Sequence, residues 1–174
     1  MTTTDTGQLR REMLLAQAVE RHADELARLA TKAVLQLPKY KSEMKTSQLR
    51  NAVNVANEDG SFDVVANFIR YKIATQKGSW GRETDSFGHT VIKHLQTDVR
   101  AVANTALGEI HKDEALPDQD RLGEDIYRAM MRRYFGYAVR AFAYYEKAKD
   151  NEKSDALKIL EEAAAPKKEA ARDK

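Results

Sequence analysis

The stretch Asp120-Arg-Leu-Gly-Glu-Asp-Ile-Tyr-Arg-Ala-Met-Met-Arg-Arg-Tyr-Phe-Gly-Tyr-Ala-Val-Arg-Ala-Phe-Ala-Tyr-Tyr-Glu-Lys147 decides the fold. Turning about 100° per residue from Arg121 places Ile126, Met130, Tyr134, Tyr137, Ala141 and Tyr145 between roughly 140° and 240°. Phe135 and Phe142 extend that arc to roughly 320°. Arg121, Arg128, Arg132, Arg133, Arg140 and Lys147 fall between roughly −20° and 120°. The spacing therefore predicts one long helix over about residues 118–149, divided into a wide apolar half and a basic sector. An arc that wide belongs to a helix central to a bundle, so the aromatic residues read as core.

Outward from that helix the chain reads as helix almost everywhere. Ala, Leu, Glu, Lys, Arg and Gln dominate, and β-branched alternation is hard to find. Residues 8–36 predict a first long helix through Leu14, Leu15, Ala18, His22, Leu26, Leu29 and Ala33, with Pro38 just past its end. A second helix opens with Thr46 or Ser47 as its N-cap and stops at Gly60, which suits the left-handed position after a helix. Ser61 caps a third, whose apolar face is Phe62, Val65, Phe68, Ile69 and Ile73. Residues 76–85 hold two glycines and predict a loop. Thr84 or Ser86 starts a fourth helix, which runs through Phe87, Val91, Leu95, Val99 and Val102 to Ile110. Past the long helix, residues 151–165 are locally amphipathic, and the charged end beyond Pro166 reads as unfolded. The expectation is an all-α bundle of about five helices with frayed ends. Residues 8–150 form the domain, and 151–174 a charged tail, partly helical or disordered.

Composition removes whole classes of function. The 174 residues suit one domain with a core large enough to need no staple. With no cysteine there is no disulfide scaffold, thiolate zinc site, iron–sulfur cluster or Cys nucleophile. No apolar run approaches the roughly 20 residues of a membrane span. Met1–Gly7 has neither basic nor apolar signal-peptide character, so a cytoplasmic protein is expected.

Catalytic patterns are missing as well. His89 and His94 are five residues apart, roughly 140° around a helix, and do not share a face. Neither HExxH nor Glu-x-x-His occurs. Gly78-Ser-Trp-Gly81 lacks the phosphate-loop spacing, and Gly-x-Ser-x-Gly is absent. The paired carboxylates, such as Glu58-Asp59 and Glu161-Glu162, fall in polar connectors or the tail, where they are solvated. The chain reads as non-catalytic, and no cofactor or metal is implied.

Charge is informative only through its distribution. The net charge is +2, yet residues 121–149 carry seven basic side chains against three acidic ones. A solvated face normally mixes signs, but between Tyr127 and Tyr145 there is no acid. Arginine forks suit phosphate by paired hydrogen bonds, so Arg128, Arg132, Arg133 and Arg140 are candidate phosphate contacts; the plainer alternative is a solvated face with snorkelling stems. A second basic cluster comprises Arg70 and Lys77, seven residues apart and so expected on one face, flanked by Lys72 and Arg82. Trp80, in the predicted loop, either stacks on a base or anchors the loop, anchoring being the commoner role.

Three segments then resemble a known family in its order. Lys45-Thr-Ser-Gln-Leu-Arg-Asn51 is similar to the box opening the first conserved helix of the small subunit of type III CRISPR effector complexes, chiefly the Csm type. Phe68-Ile-Arg-Tyr-Lys-Ile-Ala-Thr-Gln-Lys-Gly78 resembles its central helix, and Arg133-Tyr-Phe-Gly-Tyr-Ala-Val-Arg-Ala-Phe-Ala-Tyr-Tyr145 its terminal one. The long first helix, the residues 78–85 and the tail depart from that pattern, as does the lack of Gly-Gly after the aromatic run. The resemblance implies a small helical, non-catalytic subunit. Its partners would be guide and target RNA, the backbone and large subunits, and further copies of itself, with no membrane. Matched residue to residue, it implies RNA contacts at Lys45, Arg50, Arg70, Lys72, Lys77, Arg132, Arg133 and Arg140. The rival expectation is a protein–protein adaptor without nucleic-acid contact.

Overall fold

A computed structural model describes residues 3–58, 60–113 and 119–166. Among these the chain is helical, with no strand. The long helix predicted from the aromatic and basic run, Gln119–Lys147, is the axis of the molecule. The others are α1 (Thr3–Arg21), α2 (Ala23–Val34), α3 (Gln36–Lys39), α4 (Thr46–Glu58), α5 (Phe62–Thr75), α6 (Lys77–Trp80), α7 (Phe87–Lys93), α8 (Arg100–Asp113) and α10 (Lys153–Ala164), with Gln119–Lys147 as α9. A π-helical stretch, His94–Val99, joins α7 to α8. Eight of the described α-helices exceed one turn, so about five was an undercount.

The extra elements come from breaks that periodicity does not register. The predicted first helix is interrupted at His22, whose φ and ψ of −100° and 10° leave the helical region, and again at Leu35. Pro38 therefore lies inside α3 instead of ending a long helix, in a turn too short to need its missing N–H. The segment expected as loop contains α6, because Ser79 and Trp80 N–H groups both bond back to the Gln76 carbonyl. The helix expected from Ser86 to Ile110 is continuous but carries the π-helical stretch at its middle. Residues 153–164, assigned to the tail, form a helix that packs on α2 and α9, with Ala156 and Leu160 buried. What was expected beyond Pro166 lies outside the described residues.

Other local expectations hold. Gly60 takes φ +63° after α4, and the Ser61 side chain accepts a hydrogen bond from the Val64 N–H at 3.3 Å to cap α5. The start of α4 differs from expectation. Thr46 is its first residue, and Glu146 of α9 accepts bonds from both the Thr46 N–H and hydroxyl. A carboxylate from a hundred residues away thus satisfies this N-terminus and complements its dipole.

The core surrounds α9, which packs against α1, α2, α4, α8 and α10. Ile126, Tyr127, Met130, Met131, Tyr134, Phe135 and Ala138 on it are essentially inaccessible. Two polar tips in this core are satisfied: the Tyr127 hydroxyl donates to the Leu95 carbonyl at 2.9 Å, and that of Tyr134 bonds His94 Nδ1 at 3.0 Å. Burial raises both phenols, Tyr127 to about 12, and lowers His94, so the imidazole is held neutral. The α1 helix is fastened by Arg11–Asp125 at 2.7 Å to α9 and by Arg21–Glu109 at 3.0 Å to α8.

Candidate nucleic-acid interface

The burial of one half of α9 fixes where its other half faces. Arg132, Arg133, Arg140 and Lys147 are exposed on a single side of the helix. Arg128 is half-buried, and its Nε is enclosed without a hydrogen-bond partner among the described residues. It therefore belongs to the margin of the basic sector rather than to its open face. A methyl group added at Gly60 would lie 3.6 Å from both Arg128 Cδ and Arg132 Nη2, so these two side chains cross the turn between α4 and α5. There they oppose the negative end of the α4 dipole.

The second cluster is split by the backbone. Gln76 leaves the helical region at φ −133°, so Arg70 sits on α5 and Lys77 on α6, and the shared face expected from their seven-residue spacing does not exist. Arg70, Lys77 and Arg82 are exposed, whereas Lys72 lays its ammonium over the rings of Phe68 and Tyr71, at 5.4 and 5.7 Å from their centroids. Trp80 has no exposed surface and is wedged between Phe68 and Phe87, with centroids 6.4 and 5.5 Å away. It anchors the segment, and stacking on an external base is excluded. Lys45 and Arg50 are exposed at the start and middle of α4. Since α4 packs on both α9 and α5, it lies between the two basic clusters.

Ion pairing engages some cations of this molecule and leaves others, Lys32, Lys41, Lys93, Arg121 and Lys149 among them, without a described carboxylate within 4 Å. Arg11, Arg21, Arg28, Lys39, Arg100 and Lys158 each lie within 4 Å of a carboxylate. Among the described residues none of Lys45, Arg50, Arg70, Lys72, Lys77, Arg82, Arg128, Arg132, Arg133 and Arg140 has such a partner. The acids of α9 whose side chains are described, Glu124, Asp125 and Glu146, are engaged by Arg100, Arg11 and Thr46. Arg132, Arg133, Arg140 and Lys147 thus carry positive charge at the surface with no ion pair among the described residues. Sequence reasoning left two residues out of the candidate set that geometry places with it: Lys147, exposed at the end of the same sector, and Tyr144, half-exposed between Arg140 and Lys147.

Among the described residues no cluster of His, Asp and Glu could hold a metal ion, and no helix is long and apolar enough to cross a membrane. No family model, curated protein or solved structure matches this chain.

Proposed function

We propose that this protein is a non-catalytic RNA-binding subunit that contacts the phosphate backbone without reading sequence. The observation that carries the reading is the outer sector of α9, where Arg132, Arg133 and Arg140 are exposed and no described carboxylate neutralises them. Unpaired guanidinium groups on a rigid helix offer paired donors to phosphate oxygens, and contacts of that kind position a strand without carrying sequence information. The resemblance of residues 45–51, 68–78 and 133–145 to the small subunit of type III CRISPR effector complexes narrows the polyanion to guide and target RNA. In such an assembly base pairing supplies specificity, and several copies on one strand turn weak contacts into avidity.

Binding of the full-length protein to two single-stranded RNAs of unrelated sequence tests this. The expected result is equal affinity for both, falling with salt at a log–log slope of about −0.7 per phosphate neutralised. The double substitution Arg133→Glu and Arg140→Glu should abolish it. Failure to retain RNA at low salt, or a double variant that binds as wild type, overturns the proposal.

The adaptor reading has one observation of its own. Leu9 and Met13, one turn apart on α1, are 58% and 55% exposed, as a surface for a protein partner would be. Loss of assembly in a Leu9→Ser, Met13→Ser variant, with assembly intact in the Arg133→Glu, Arg140→Glu variant, would favour it.

A further inference from the structure

The outer sector of α9 is more than a row of charges. Arg133, Tyr137, Arg140, Tyr144 and Lys147 follow one another at steps of four, three, four and three residues, the spacing of successive neighbours on one face of a helix. Cation and aromatic alternate along that line. Arg133, Arg140 and Lys147 are exposed, Tyr137 is half-buried, and Tyr144 is 49% exposed. The Arg140 guanidinium lies 5.7 Å from the centroid of Tyr137. Beside Arg140, Tyr144 and Lys147 runs an open groove of about 780 Å³, lined also by Ala143, Ala148 and Ala156 and, where the chain enters α10, by Glu152 and Asp155. Small residues in the lining leave the tyrosine ring a free side.

We infer that this ladder binds single-stranded RNA through its bases as well as its phosphates, with an unpaired base lying in the α9–α10 groove against Tyr144. The inference rests on the proposed function and specifies the ligand of the same surface. Arg140 and Lys147 flank the ring and hold the phosphates on either side of the stacked base. Every base offers a π-face, so stacking adds affinity while keeping the binding indifferent to sequence. A continuously paired strand has no base to offer, so the ladder takes its base from an unpaired stretch of guide or target strand and discriminates against continuous duplex.

The test compares three fluorescent RNAs with the full-length protein: a twelve-residue oligouridylate, the same backbone with abasic sugars, and a twelve-pair duplex. Wild type is expected to bind oligouridylate about tenfold more tightly than the abasic strand, a typical worth of one stacked base. Tyr144→Ala should bring oligouridylate down to the abasic level, while Tyr144→Trp keeps the difference. Circular dichroism and thermal melting verify the fold of each variant. Equal binding of the base-bearing and abasic strands by wild type, or a difference that survives Tyr144→Ala, overturns the inference and leaves phosphate binding standing. If wild type binds none of the three at low salt, both the inference and the proposed function fall.

Discussion

The two ends of α9 treat charge in opposite ways. Near its start Glu124 and Asp125 are bound by Arg100 of α8 and Arg11 of α1, and the charges serve to hold helices together. From Arg132 onward, Arg132, Arg133, Arg140 and Lys147 are exposed, with no described carboxylate within 4 Å. The same side-chain types are structural at one end and available at the other, and only the neighbouring helices make the difference. Where α1 and α8 flank α9, acids meet bases. Where α10 flanks it, Asp155 is paired with Lys158 and Glu152 accepts from the Lys149 N–H, while the acid of α9 itself at that end, Glu146, serves the start of α4.

Substitutions break or sharpen that contrast to very different degrees. Phe135→Ala, on the inner wall, removes a ring with no exposed surface and should cost about 3–5 kcal/mol in denaturant unfolding. Acidification comes next. Burial holds the His94 pKa below its ordinary 6.5, so the unfolded chain takes up that proton first and stability falls as pH drops below 6.5. A Tm measured from pH 7.5 down to pH 5 should decline, and the decline should be blunted in His94→Gln; the depressed carboxyls of Glu109 and Asp85 matter only at lower pH. Glu146→Gln, which removes the anion at the start of α4, should cost about 1 kcal/mol. Arg11→Gln at the paired end should cost under about 1 kcal/mol, since its ion pair with Asp125 is partly exposed, and should leave RNA binding and its salt slope unchanged. Arg133→Glu with Arg140→Glu should move stability by no more than about 0.5 kcal/mol yet remove the RNA contact. A large stability loss there would mean that the outer sector holds the fold together.

Much of this was legible in advance. A period of 3.6 residues, read over the twenty-nine residues of α9, separates inner from outer face because every side chain's direction follows from its position along a regular helix. The same count places Tyr144 beside Arg133 and Arg140, although a tyrosine in an aromatic run invites assignment to the core. Gly60 and Ser61 announced a turn and a cap, since left-handed φ and a hydroxyl acceptor are local requirements. The break at His22, the π-helical stretch at His94 and the single turn of α6 carried no such local mark. The last two accommodate packing: His94 meets Tyr134 of α9, and Trp80 at the end of α6 is seated between Phe68 and Phe87.

What the sequence determined by itself, then, was the helical class, the central helix and the two characters of its faces, because these depend on the order of residues along one axis. Whether a cation on that helix is neutralised or open was decided only by tertiary structure. Coulomb attraction at ion-pair range depends on which other helix supplies a carboxylate there. That is a matter of packing between elements a hundred residues apart, as with Arg11 and Asp125, and no periodicity within either helix records it.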